Sequence, residues 1–328
     1  MRYVSIDIQE NIDLQPNKPP FLNAMAYPLS LPASWRRPET LGVLIAFMSA
    51  LAYGSWSVAG KTVYHLGGDP VLVAITVTWG RALVLTLVSL KFGNIPFARK
   101  TGFKDALIGG VCQAVSAIGF LSAMEYLPVP VVSIILQSYT LGILGFMLWR
   151  KEMPITALPI LTTFVILGGL SLVLDLWHPM KSMSLIGVGL ALLAMVTTAA
   201  RIYVYGRLTQ DRHPILVGAE NFLIGGVLMS VYGFFVPPHL PTDPAAFLWL
   251  GLAVGLLSVA SIGMFLCLPL IGSFRYSLIG KMETVVTTIL AALFLGEILS
   301  PSQYIGILIV ILGLVTYQIV SYQQRKRA

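Results

Sequence analysis

The chain has 328 residues, of which 56% are hydrophobic and only 11% charged, with a mean hydropathy of +0.83. A soluble globular domain carries about 25% charged residues, so these values exclude a soluble fold and indicate an all-α integral membrane protein. The net charge of +7 does not signal nucleic acid, because the cations sit at the ends of apolar segments and form no basic patch interleaved with aromatics.

Residues 1–38 are polar and proline-rich, holding Asp7, Glu10, Asp13, Lys18, Pro19, Pro20, Arg36 and Arg37. They contain no apolar run long enough for a signal-peptide core and are expected to form a disordered cytoplasmic arm, with Met25 as an alternative start. From Thr40 to Tyr322, apolar segments recur with short polar links, and at about 28 residues per helix and link the stretch holds ten spans. The first five are Thr40–Gly60, Pro70–Leu90, Lys104–Met124, Pro128–Trp149 and Ile155–Asp175. The second five are Ser184–Tyr205, Pro214–Val236, Ala245–Leu270, Arg275–Leu295 and Pro301–Tyr322. Prolines open several of these, as suits a first helical turn whose amide needs no partner.

The cations test this layout. With the N-terminus inside, 16 of the 21 Lys and Arg fall on the inner side, among them Lys91, Lys104, Arg150, Lys151, Arg207, Arg212, Arg275 and the 323–328 tail. The outer links hold only Lys61 and Lys181, while Arg81, Arg201 and Lys281 lie within spans. Cytoplasmic links carry such an excess, so both termini are expected on the cytoplasmic side.

Laid on itself at an offset of 144 to 145 residues, the chain repeats. Pro70-Val71-Leu72-Val73-Ala74 matches Pro214-Ile215-Leu216-Val217-Gly218, Ile118-Gly119 matches Ile262-Gly263, Glu152 matches Glu297, and Leu167-Gly168 matches Leu312-Gly313. Residues 39–178 and 179–322 are thus expected to form two five-span repeats. Five is odd, so the second enters the membrane inverted, the architecture of alternating-access carriers with a solute site near the midplane.

Charges buried in spans cost at least about 2.5 to 3.5 kcal/mol each and mark functional sites. Arg201 and Glu220 lie about 8 and 9 Å from the cytoplasmic ends of their spans, so they are expected to pair. Arg81, about 16 Å from the outer end, lies near the depth of Glu283, and these two are expected to pair or to share an ionic solute. Lys281 and Glu283 lie about 10 and 13 Å into a ninth span that reads as one continuous helix, with no partner evident for Lys281. Structural ion pairs within a bundle are the competing explanation for all of these charges. Tyr53, Trp56, Trp79, Gln113, Gln137, Tyr139 and Asn221 complete the candidate pathway, the amides being the stronger candidates because lipid leaves their donors unsatisfied. The three cations outnumber the two acids, which favours a solute with a negative group such as a carboxylate. Gly142, Gly145, Gly225, Gly226, Gly306 and Gly313 suit close helix contact.

The two cysteines, Cys112 and Cys267, lie in apolar segments and suit packing rather than a disulfide. The four histidines occupy links without metal-ligand spacing, so neither a metal nor a cofactor is expected. An embedded enzyme would need a nucleophile with its base, a metal cluster or a phosphate-cradling loop, and a sensor or scaffold would want a further folded domain; the sequence offers neither.

Trp79-Gly80-Arg81 in the second span, Leu293-Phe294-Leu295-Gly296-Glu297 closing the ninth, and Gly306 through Gly313 in the tenth resemble EamA-type members of the drug/metabolite transporter superfamily. The likeness covers residues 40–322. It implies two inverted five-helix repeats, with helices one to four and six to nine around a central cavity and helices five and ten at the periphery. It also implies a multi-pass carrier of the cytoplasmic (inner) membrane, commonly an exporter of amino acids or other small metabolites, in which one four-helix bundle rocks against the other. A sugar or nucleotide sugar is an alternative solute, coupling to a proton or a counter-substrate is compatible with Glu220 and Glu283, and a homodimer is open. The sequence departs from the family at Glu283-Thr284, where Glu-Pro is common, and at Trp149-Arg150-Lys151-Glu152, where Leu-Gly-Glu is common. If depth marks the pathway, Glu283→Gln lowers transport more than Glu297→Gln in reconstituted vesicles; equal losses would refute this.

Overall fold

The computed structural model describes residues 38–98, 103–152, 157–176, 184–296 and 298–327. The expected N-terminal arm, Glu297, Lys181 and His178 lie outside them. The order of helices is α1 (Pro38–His65), α2 (Pro70–Lys91), α3 (Phe103–Ala123), α4 (Val129–Gln137), α5 (Tyr139–Trp149), α6 (Ala157–Val173), α7 (Leu185–Asp211), α8 (Pro214–Phe235), α9 (Ala245–Ile279), α10 (Met282–Leu295) and α11 (Pro301–Arg327). Among the described residues there is no strand. Eight helical segments are long and apolar enough to cross a bilayer, α4 and α5 together forming one of them; α6 and α10 are shorter apolar helices. The chain is therefore an all-α, multi-pass membrane protein.

Local chemistry sets the helix starts. Asp69 caps α2 by accepting from the Val71 and Leu72 amides at 2.7 and 3.2 Å, and Pro70, Pro214 and Pro301 occupy first turns. Mid-helix side chains facing outward are large and apolar, such as Leu83, Leu87, Phe164 and Leu293, as a lipid-facing surface requires.

The ninth span differs from the expected single helix. Its helical run starts two residues before Arg275, because Gly272 adopts φ 77° and ψ 163° and turns the chain sharply within α9. That conformation is open to glycine at little cost. The run then breaks at Gly280–Lys281, where tight backbone bonds join Lys281 N to Leu278 O and Glu283 N to Gly280 O at 3.1 and 3.0 Å. The fourth span breaks at Ser138, between α4 and α5. These two positions are near-equivalents at the repeat offset.

A second correspondence closes both spans. Gly296 ends α10 in the left-handed region at φ 68°, and Lys151, at the matching place after α5, has φ 57°. The sequence departure at Trp149-Arg150-Lys151-Glu152 thus leaves the turn geometry intact, at the modest strain a left-handed lysine carries.

The most extensive packing is between α1 and α9, α3 and α7, α2 and α8, and α6 and α11, followed by α1 with α10 and α3 with α8. Exchanging each span for its counterpart five places along maps this pattern onto itself: span one with eight becomes six with three, while two with seven and five with ten are unchanged. Segments from residues 39–178 and 179–322 are interleaved in this packing. Spans one, eight and nine pack together, as do three, four and six, and spans five and ten lie against each other. Polar contacts tie the helix ends together: Glu39 meets Arg275, Glu152 meets Arg207, Asp69 meets His239 and Asp175 meets Ser302.

Small residues permit the closest crossings. A Cβ on Gly306 would lie 2.6 Å from the Gly169 carbonyl and 2.7 Å from the Val173 amide, so α6 and α11 touch backbone to backbone. Gly142, Gly225, Gly226 and Gly313 are also contact points, whereas Gly145 faces open space, with nothing within 4 Å of a Cβ placed there. Gly306→Leu is expected to cost about 1 to 3 kcal/mol through overpacking and Gly145→Ala to be neutral or slightly stabilising, as read from thermal unfolding in detergent.

Candidate functional site

The two helix breaks meet in the interior. In an uninterrupted helix the Gln137 carbonyl would accept from the Leu141 amide, but that amide turns to Ser138 O at 2.9 Å. The released carbonyl cannot stay unpaired in an apolar medium. Lys281 supplies the donor: its Nζ bonds to Gln137 O at 2.5 Å and to Gln137 Oε1 at 2.9 Å. It also stands 3.6 Å from the centroid of the Tyr139 ring, a cation–π contact. With 1% of its surface exposed, Lys281 is a fully buried lysine with a complete set of partners, in contrast to the partnerless residue expected from depth. Gln137 also donates to Thr284 Oγ1 at 3.0 Å, so the fourth and ninth spans are stitched together at residues related by the repeat.

The remaining charges pair differently from the expectation based on depth. Glu220 is 1% exposed and belongs to Arg212, whose Nη1 and Nη2 reach its two carboxylate oxygens at 2.7 and 2.8 Å. The Phe97 amide donates to the same carboxylate at 3.0 Å. Arg201 donates from Nη1 to Gln113 Oε1 at 2.7 Å instead. Depth placed Arg201 and Glu220 at one level but carried no information on helix rotation, and Arg212, at the end of α7, folds back over the start of α8. Glu220 is thus part of a clamp between α7, α8 and the link after α2.

Arg81 and Glu283 form no direct ion pair. Arg81 donates from Nε to Val77 O at 3.0 Å, and its guanidinium lies 4.3 Å from the centroid of the Phe222 ring. Glu283 is half-buried and is held by no hydrogen bond or ion pair among the described residues. It stands in the electrostatic field of Lys281 and Arg201.

Tyr53 reaches Ser261 Oγ at 3.2 Å and lies within electrostatic range of Arg81. Tyr139 is buried beside Lys281. Asn221 is fully buried and donates to Val217 O at 2.7 Å, leaving Oδ1 without a donor. Trp79 Nε1 donates to Ser230 Oγ at 2.9 Å on an exposed part of α2, where it packs on Gly226; Trp56 packs on Gly60 within α1. The structure therefore gathers Tyr53, Arg81, Gln113, Gln137, Tyr139, Arg201, Lys281 and Glu283 into one interior region and leaves Trp79 and Glu220 outside it. Tyr205 and Phe222 were not anticipated. Both are fully buried aromatics of this region, and sequence alone gives no sign that separates them from ordinary core residues. A groove of about 560 Å³ lies elsewhere, between α1 and α11, lined by apolar side chains such as Val43, Phe47, Met282 and Ile311, which suits lipid chains rather than a polar solute. Among the described residues no group of His, Cys, Asp and Glu could hold a metal ion.

A bundle of apolar helices with a charged interior around two broken spans is the construction of a membrane transporter. Comparison with known proteins agrees. Residues 185–317 match the model of the EamA-like transporter family. The uncharacterized transporter YcbK of Bacillus subtilis (strain 168) is 24% identical over 284 residues, spanning 82% of this chain and 90% of that protein. One protein of known crystal structure shares the fold at a TM-score of 0.75 and 15% identity, with 87% of this chain and 99% of the other covered. Residues 185–317 thus resemble the EamA-like transporters, and the likeness supports a membrane transporter.

The pairing of Glu220 gives a direct test. Arg212→Ala leaves a buried carboxylate without its cation and is expected to destabilise by about 3 to 5 kcal/mol, whereas Arg201→Ala leaves Glu220 satisfied and costs less. Thermal unfolding of the two purified variants distinguishes them, and the reverse order would restore the Arg201–Glu220 pair.

Proposed function

We propose that this protein is a secondary carrier that exports a small organic metabolite, such as an amino acid, by alternating access, with ten crossings in two inverted five-helix repeats and both termini on the cytoplasmic side of the inner membrane. The observation that carries the reading is the meeting of two broken spans at Lys281 and Gln137, with Glu283 free beside them. The packing pattern, unchanged when the halves are exchanged, supports the inverted repeat.

Such a carrier needs two bodies that move against each other around one site. The packing suggests spans one, eight and nine for one body and three, four and six for the other. Each takes helices from both halves, so exchange of the roles of the halves converts an inward-open form into an outward-open one. Broken spans serve this motion because a tight turn absorbs a change in angle that a continuous helix resists. Glu283 is the group available to a proton or to a counter-substrate, since it lies in the interior with no fixed partner. A membrane-embedded enzyme finds no catalytic constellation among these residues.

Counterflow of radiolabelled metabolites into proteoliposomes tests the proposal. Accumulation of at least one small organic solute is expected, with Glu283→Gln reducing its rate about tenfold or more while the protein elutes as the wild type does. A failure of every solute in a broad panel to exchange would sink it.

A further inference from the structure

Three cations and one acid occupy the interior region once Glu220 is assigned to Arg212. Lys281 is satisfied by Gln137 and Tyr139. Arg81 and Arg201 are different: no carboxylate lies within ion-pairing distance of either among the described residues. Arg81 is nine-tenths buried, and its guanidinium is held by neutral groups alone, bonding from Nε to Val77 O and to the Tyr53 hydroxyl. Arg201 spends Nη1 on the neutral Gln113 amide and bonds to the Tyr205 hydroxyl, while its Nε is buried without an acceptor.

The two guanidinium groups flank one helix face. Arg81 lies on the Phe222 ring. Gln113, which holds Arg201, packs against Gly225, where a Cβ would stand 3.2 Å from its Cγ. Phe222 and Gly225 are three residues apart on α8, about 4.5 Å along its axis. The arginines are accordingly within electrostatic range of each other. An arginine stays charged in any protein environment, so the two repel each other, and the single acid of the region, Glu283, within electrostatic range of Arg201, does not balance three cations. Their fork of N–H donors fits the paired oxygens of a carboxylate or phosphate. The Phe222 ring lies against the Arg81 guanidinium, its centroid 4.3 Å away.

We propose that the transported solute is an organic anion, bound through its carboxylate or phosphate between Arg81 and Arg201. This rests on the carrier reading and narrows its solute class. The site is asymmetric, because the repeat counterparts of Arg81 and Arg201 are Gly225 or Gly226 and Ser57 or Trp56, so the anion is bound by one copy of the site and not two.

The test uses the full-length protein in detergent at constant ionic strength, with succinate, glycerol 3-phosphate, glycerol and choline as probes in thermal unfolding. Saturable stabilisation of several degrees is expected from at least one anion: succinate alone assigns a carboxylate, glycerol 3-phosphate alone a phosphate. Arg81→Gln and Arg201→Gln are each expected to weaken the apparent affinity about tenfold or more, with Arg81→Lys intermediate, since it keeps the charge and loses the fork. Elution on gel filtration as the wild type does checks that each glutamine variant is folded, and Arg81→Lys, which retains the cation, is carried as the second variant. Stabilisation by glycerol or choline alone, by none of the four, or equally in wild type and variants, overturns the proposal. Counterflow in proteoliposomes separates it from its premise. Exchange of a neutral or cationic solute alone would leave the carrier standing and remove the anion site, while anion binding without any exchange would do the reverse.

Discussion

A lysine ammonium buried in the middle of a membrane protein is the constraint on which this interior depends. Lys281 cannot reach water, so it must find acceptors, and an intact helix has none to give because its carbonyls are already bonded. The break at Ser138 releases one. The fourth span is therefore interrupted where the ninth needs an acceptor, and the ninth is interrupted where its lysine must reach across. Each irregularity satisfies the other, and the two are held by three contacts, to the Gln137 carbonyl, its side chain and the Tyr139 ring.

From that junction the rest of the packing follows. Residues 137 and 281 stand 144 apart, the offset at which the sequence matches itself, and they meet between the fourth and ninth apolar segments. Spans two and seven, and five and ten, also meet their own counterparts. Glycines at the tightest crossings, such as Gly306 on Gly169, let the outer pair approach closely without a hydrophobic driving force, which lipid does not provide. Arg212 pairs with Glu220 between the end of α7 and α8, so charge serves structure there.

The charges divide by their partners. Glu220 and Lys281 are saturated by groups of the protein, and removing a partner from either leaves an expensive orphan. Arg81, Arg201 and Glu283 are held by neutral acceptors or by none. A transporter needs groups of the second kind, because a solute can be bound and released only by side chains whose interactions are not already complete.

The sequence by itself determined the class and the positions of the apolar segments, and it set the expectations of cation sidedness and of an internal repeat. These depend on properties that are local along the chain: the length of an apolar run, the excess of Lys and Arg in a link, the offset between matching residues. The likeness of Leu293-Phe294-Leu295-Gly296-Glu297 and its neighbours to the EamA-type proteins was legible for the same reason. Depth correctly singled out Arg81, Arg201, Lys281 and Glu283 as interior charges. It could not tell which would pair, since two residues at one level meet only if their helices are adjacent and rotated toward each other. That was decided by tertiary structure, which gave Glu220 to Arg212, Lys281 to Gln137 and Tyr139, and Arg201 to Gln113. The breaks at Ser138 and Gly280 were likewise hidden, because neither contains a proline and both exist only where a partner across the interface satisfies the freed backbone.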